Sequence, residues 1–255
     1  MELDISSGII YEHDDLYPYI HKIDDEFLLN LWMFQAFRYF YQILSDTRFP
    51  CLFGRHAFKQ KTIEYGFVSE ENHEENLIDL MFLYTEKNKN KSIKERLYHP
   101  MIIFFEKGKM NSLEAEQQFC WQQLQLLNEK DSKPWPEHLP KDPSHHEWSF
   151  CFNEIELFFN MSCPSYSKLR SRYLGEHIVF VVNPRKHFDC VAPQGTEKGA
   201  KVRGKIRNRS KEYNNGYLSN ELGTYGDTNN KEWQQYLLAE PDHNVMIHCP
   251  LKIKV

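Results

Sequence analysis

Six arginines lie between positions 170 and 209, and their spacing is the most chemically suggestive feature of the chain. Arg170 and Arg172 are two residues apart, and Arg185 follows the apolar run Ile178–Val182. Arg203 and Arg207 share a helical face at i, i+4, with Arg209 beside them. Guanidinium forks bind carboxylates and phosphates through paired hydrogen bonds, so several turned to one cavity would suit a di-anionic ligand. Just upstream, Trp148, Phe150, Phe152, Phe158 and Phe159 offer flat apolar surface for the wall of such a site. The bland reading of the same residues is a core with a solvated basic face.

Other reactive constellations are sparse. The adjacent pair His145-His146 has ligand chemistry, although neighbouring loop histidines usually face solvent. Six cysteines stand at positions 51, 120, 151, 163, 190 and 249, and none forms a CxxC pair, so zinc-ribbon spacing is missing. No GxGxxG, Walker loop, GxSxG elbow or HExxH occurs. A redox reaction would therefore draw on an external electron donor or on peroxide.

These residues need elements to position them. The first ~23 residues read as an arm, and residues 24–255 as a single domain. Leu29, Met33, Ala36, Phe40 and Leu44 recur at helical spacing, which predicts a helix over 25–45 with Asp24 as N-cap, ended by the breaker Asp46–Pro50. Further helices are expected over 74–86, 112–128 and 198–213, with strands at 65–68, 101–105 and 178–182 and a strand or hairpin over 148–159. The Lys- and Asn-rich stretch 87–94 reads as a solvated loop. Helices and strands mix without strict alternation, so an α+β fold is expected, a mixed sheet with several packed helices.

Composition excludes several function classes. With 15% aromatic residues there is ample material for a core. The net charge of −5 speaks against a general nucleic-acid binder, and the basic segment Lys198–Lys211 as a nucleic-acid or protein docking face ranks last. No apolar run of about 18 residues or basic-then-apolar leader is visible, so the expectation is a cytoplasmic protein with reduced thiols and no membrane span.

Pieces spread in order from Phe49 to Gln235 carry a resemblance. They include Phe49-Pro50-Cys51, Tyr65-Gly66-Phe67, Phe119-Cys120-Trp121, Pro134-Trp135-Pro136 and Trp148-Ser149-Phe150-Cys151-Phe152. Arg170-Ser171-Arg172, Asn183-Pro184-Arg185, Ile206-Arg207-Asn208-Arg209, Tyr225-Gly226-Asp227 and Gln235-Tyr236 complete the set. In this order the chain resembles the YqcI/YcgG family, with Asn183 standing where that pattern usually has glutamine. The resemblance implies a haem protein, namely a haem-dependent monooxygenase that hydroxylates a guanidino or amino nitrogen of a small molecule. A non-catalytic haem sensor or carrier is the alternative.

A haem b would need an axial ligand, an apolar slot and cations for two propionates. Cys51 is the first choice for the iron, because a thiolate favours O–O cleavage, with His56 and His146 as alternatives. Arg170, Arg172, Arg185, Arg207 and Arg209 are the candidate propionate partners, and Trp148 and Phe150 the candidate wall. A cationic substrate would want a carboxylate, and Asp131, Glu154 and Asp227 are available without anything to choose among them.

Overall fold

The computed structural model describes residues 5–22, 31–106, 108 and 110–254. Its centre is a five-stranded mixed sheet of β1 (Glu64–Val68), β2 (Met101–Phe105), β3 (Phe150–Phe152), β4 (Ile155–Ser162) and β5 (Ile178–Pro184), in the order β1-β2-β5-β4-β3. β1 and β2 are parallel, and every other pairing is antiparallel. A parallel pair needs a crossover, here supplied by α4 (His73–Lys89), named in chain order after α1 (His13–Leu16), α2 (Trp32–Ser45) and α3 (Leu52–Gln60). The later helices are α5 (Ile93–Arg96), α6 (Leu113–Lys130), α7 (Lys186–Val191), α8 (Glu197–Tyr213) and α9 (Glu232–Tyr236). The fold is α+β, as the mixed pattern predicts.

Side-chain alternation divides the sheet into two packed faces. On one, Met101, Ile103, Phe105, Phe180, Val182, Leu157 and Phe159 meet Leu77, Leu80, Met81 and Tyr84 of α4 and Cys120, Trp121, Leu124 and Leu127 of α6. On the other, Tyr65, Phe67, Ile102, Phe104 and Val179 meet Met33, Ala36, Phe37, Phe40 and Leu44 of α2. The stripes on α4 and α2 follow i, i+3, i+4, i+7 spacing, so apolar periodicity specifies which of their faces can be buried. β4 is half-covered: Leu157, Phe159 and Met161 enter the first core, while Phe158 and Asn160 turn the other way and remain partly accessible.

The hairpin between β3 and β4 turns on Asn153 and Glu154, both with positive φ (49° and 65°), the geometry of a two-residue primed turn. Asn153 is fixed there by its side-chain amide, which donates to Thr85 Oγ1 (3.0 Å) and Glu86 Oε1 (2.7 Å).

Several boundaries differ from expectation. Residues 87–89 continue α4 rather than forming a loop, because Lys87 pairs with buried Glu64 (2.7 Å) and the Asn88 side chain bonds back to Tyr84 O (2.8 Å). A second short helix, α5, follows, capped by Ser92. The helix expected over 25–45 is seen from Trp32 to Ser45, and its proposed start at Asp24 lies outside the described residues. Among its described residues the arm runs along β1, with Gly8 N donating to Phe67 O (3.0 Å) and Tyr11 exchanging two 2.8 Å backbone hydrogen bonds with Tyr65, and then coils into α1 and a 3-10 turn, Tyr17–Tyr19. No described helix is long and apolar enough to cross a membrane.

Candidate functional site

A cavity of about 280 Å³ opens beside the accessible face of β4. Its floor is Phe158 and Asn160, its inner end is the Phe49-Pro50-Cys51 segment with Phe53, and Phe188 of α7 closes one side. Arg203, Ile206 and Arg207 of α8 cover it, together with the loop Leu222–Tyr225. Such a predominantly apolar space with a few convergent polar groups is the usual form of a small-molecule site.

Cys51 sits at the N-cap of α3, and its Sγ accepts a hydrogen bond from the Gly54 amide at 3.2 Å. Burial pushes the thiol pKa up, and this is only partly opposed by the Gly54 and Phe53 amides and by the charge of Arg172. The free thiol is therefore neutral, while the amides and the guanidinium are already arranged to stabilise a thiolate if a metal displaces the proton. Among the described residues no three His, Cys, Asp or Glu side chains cluster to hold a bare metal ion.

Four arginines line the cavity, and among the described residues three of them form no ion pair with a carboxylate. Buried Arg172 donates to Asn160 Oδ1 (2.8 Å) and to the carbonyls of Tyr236 (3.0 Å) and Gln235 (2.8 Å). Arg203 donates to Ala192 O (2.6 Å), and Arg207 to Leu222 O and Gly223 O (3.0 and 2.7 Å). Burial and the neighbouring Arg203 both depress the pKa of Arg207, with Asp227 opposing them. Arg185 differs: it pairs with Asp189 and, at 3.6 Å, with Glu156, and its guanidinium lies 3.6 Å from the Tyr225 ring centre.

Of the residues singled out in the sequence, Cys51, Arg172, Arg185 and Arg207 thus meet on one cavity. Arg209 and Arg170 do not line it. Arg209 donates to Thr47 O (2.7 Å) and Phe49 O (2.9 Å), anchoring the segment that presents Cys51, and Arg170 stacks on Tyr213. Trp148 and Phe150 are fully buried on the opposite face of the sheet, so the aromatic wall is Phe49, Phe53, Phe158 and Phe188 instead. The reason is strand parity: Phe150 is paired with Leu157, and both point away from the cavity. His56 is exposed on α3 against Tyr98, and His146 stacks on His145; neither lines the cavity.

The carboxylates resolve similarly. Glu154 is paired with Lys89 at the hairpin, Asp131 receives the amides of Lys133 and Asn153 away from the cavity, and Asp227 accepts from Gln194. The cavity's own buried carboxyl is Glu232, at 2% exposure, which sequence reasoning missed. It is hydrogen-bonded to Tyr236 Oη (3.3 Å). Burial drives its pKa up to about 8, opposed by Arg185, Ser149 and Tyr236 and reinforced by Glu156.

Comparison with known proteins places this geometry in context. The model of the YqcI/YcgG family matches residues 40–252. A Streptomyces lavendulae protein named "Putative N(omega)-hydroxy-L-arginine synthase DcsA" is 36% identical over 234 residues, 89% of this chain and 86% of that protein. From Bacillus subtilis strain 168, "Uncharacterized protein YcgG" is 30% identical over 91% of this chain and 92% of its own length, and "Uncharacterized protein YqcI" 28% identical over 88% and 89%. No solved structure gives a significant match.

Proposed function

The chain belongs to the YqcI/YcgG family, and from that premise we propose that it hydroxylates a guanidino or amino nitrogen of a small molecule, using haem held in the cavity between β4, α3 and α8. The observation that carries this reading is the meeting, on one apolar cavity, of a single thiol with three arginines that form no ion pair with a carboxylate among the described residues. The nitrogen-hydroxylating half rests on the name of the Streptomyces relative, which specifies an arginine product.

The donor set suits haem in each of its requirements. Cys51 would hold the iron, with the amides of Gly54 and Phe53 tempering the thiolate. The Phe158 and Phe188 rings, 5.1 Å apart between centroids, would face the macrocycle, and Arg172, Arg203 and Arg207 would neutralise the propionates. When bound, the haem supplies activation of oxygen, which no side chain can provide. The overall change inserts one oxygen atom into an N–H bond. With dioxygen, two electrons and two protons come from outside the chain and the second oxygen leaves as water; with hydrogen peroxide, no further electrons are needed.

The chain's own residues would exclude water and fix the substrate. Arg209 holds the Cys51 segment in register, and the α8 helix with the Leu222–Tyr225 loop walls the cavity from solvent. The test is product formation by the full chain expressed with haem supply. L-arginine or agmatine, with reductant and isotopically labelled dioxygen, should give a product heavier by one labelled oxygen on a guanidino nitrogen. A haem-replete protein that oxygenates no amine or guanidine across a broad panel contradicts the reading.

A further inference from the structure

We propose that Glu232 is the side chain that recognises the positively charged nitrogen group of the substrate. This deepens the N-hydroxylation reading and rests on it for the identity of the cavity's occupant.

The case begins with what surrounds Glu232. It lies on the cavity wall, is almost wholly buried, and has no ion-pair partner among the described residues. A buried carboxyl without a counter-charge is costly unless it stays protonated or meets a cation. The cation that bears on it, Arg185, is shared with two other carboxylates: it pairs with Asp189 and, at 3.6 Å, with Glu156, and Tyr225 lies over its face. Asp189, the other carboxylate on the wall, is spent on Arg185 and half exposed. Glu232 is therefore the acid left over for a ligand.

Local hydrogen bonding suits the role. Tyr236 Oη accepts from the Phe150 amide (3.1 Å) and donates to Leu157 O (3.0 Å), so its single proton is committed. The same hydroxyl faces Glu232 Oε1 at 3.3 Å, so what it can donate to the carboxyl is shared with Leu157 O and is a weak substitute for a cation. A guanidinium entering the cavity would replace the carboxyl's own proton as the positive partner. Oxygen transfer to nitrogen also needs the nitrogen held at a fixed place, and a carboxylate facing a guanidinium fork does this with two parallel hydrogen bonds.

Proton exchange makes the idea measurable. The charged groups that bear on Glu232 are Arg185 at the start of α7 and Glu156 on β4, with the hydroxyls of Ser149 and Tyr236 as its polar neighbours. Since burial holds Glu232 protonated below about pH 8, cation binding at neutral pH must expel a proton. Affinity for a cation then rises about tenfold per pH unit up to that point and levels off above it.

The experiment is calorimetric titration of the haem-loaded full chain with L-arginine, agmatine and the uncharged isostere L-citrulline, in buffers of differing ionisation enthalpy. The wild type should prefer the two cations by at least about tenfold and release close to one proton near pH 7. Glu232→Gln should abolish the preference, the pH slope and the proton release without lowering the melting temperature. Glu232→Asp should keep the proton release at reduced affinity. A Glu232→Gln protein that still prefers arginine and still releases the proton overturns the assignment. So does a wild type that hydroxylates an uncharged amine and ignores both cations, an outcome that leaves the N-hydroxylation reading standing. Glu232-dependent cation binding without any oxygenated product fails the opposite way and supports the assignment alone.

Discussion

At the scale of single residues, the chain carries two acids on one cavity, half-buried Cys51 and buried Glu232, with opposite uses for a proton. Cys51 is a thiol made neutral by burial but surrounded by donors that favour its anion. Glu232 is a carboxyl kept protonated by burial, its pKa raised from 4.5 to about 8. For an acid whose folded pKa is raised, the folded state binds the proton more tightly, so stability is fullest below the unfolded pKa and falls as pH rises through the folded value. Across that window Glu232 costs the fold roughly 3–5 kcal/mol at alkaline pH. Glu232→Gln should therefore melt at the same temperature as wild type near pH 4 and progressively higher up to about pH 8, which thermal unfolding across that range will show. Cys51 stood out through the motif around it, whereas Glu232 did not. In Lys231-Glu232-Trp233 nothing marks the glutamate as buried, since its environment is made by β4 and by Arg185, far away in the chain.

At the scale of elements, the site is held by ties that fix turns and loops to the helices and strands beside them. Arg209 bonds two carbonyls of the Thr47–Phe49 turn, and Arg172 joins its own 3-10 turn to β4 and α9. Arg209→Ala should cost about 1–3 kcal/mol in denaturant melts and should speed haem loss more than it lowers stability, as the rate of transfer to apomyoglobin would reveal. Glu240 works likewise. Burial alone would raise its pKa, but the amides of Lys168, Leu169 and Ser167 and the Ser167 hydroxyl overrule it and bring it below the ordinary value. Its contribution is present above the unfolded pKa and disappears as pH falls through the folded one. Glu240→Gln should accordingly lose about 1.5–3 kcal/mol near neutrality and show a flatter acid limb in urea melts between about pH 5 and 3.

Elements with strong periodicity were legible in advance: Met101–Phe105 is a strand and 113–130 a helix because their apolar spacing leaves no alternative face to bury. Helix α3 was not, because Pro50 reads as the end of α2, and only the Cys51 cap shows that it also begins a second helix. Trp148 and Phe150 were misplaced for a related reason: a hairpin's apolar alternation does not reveal which parity faces the core until its register is known.

At the scale of the whole molecule, the family match begins at residue 40, yet the preceding arm is built into the fold. Tyr11 extends the edge of β1 and Leu16 is fully buried in the core beneath α2. None of the arm's described residues lines the cavity. Deleting residues 1–22 should therefore lower the denaturant midpoint by exposing Tyr65 and its neighbours, while the preference for arginine over citrulline at matched folded protein stays unchanged. Net charge is −5, so the local excess of arginine at the cavity is a feature of the site and not of the surface as a whole.

The most direct test of the account is haem titration of the purified chain, followed by absorption spectra of the reduced carbon monoxide adduct. The same titration is run on Cys51→Ser, His56→Ala and His146→Ala. The account predicts one haem per chain and a thiolate-type carbonyl band that disappears in Cys51→Ser and persists in both histidine variants. A chain that takes up no haem, or a band indifferent to Cys51, would contradict it.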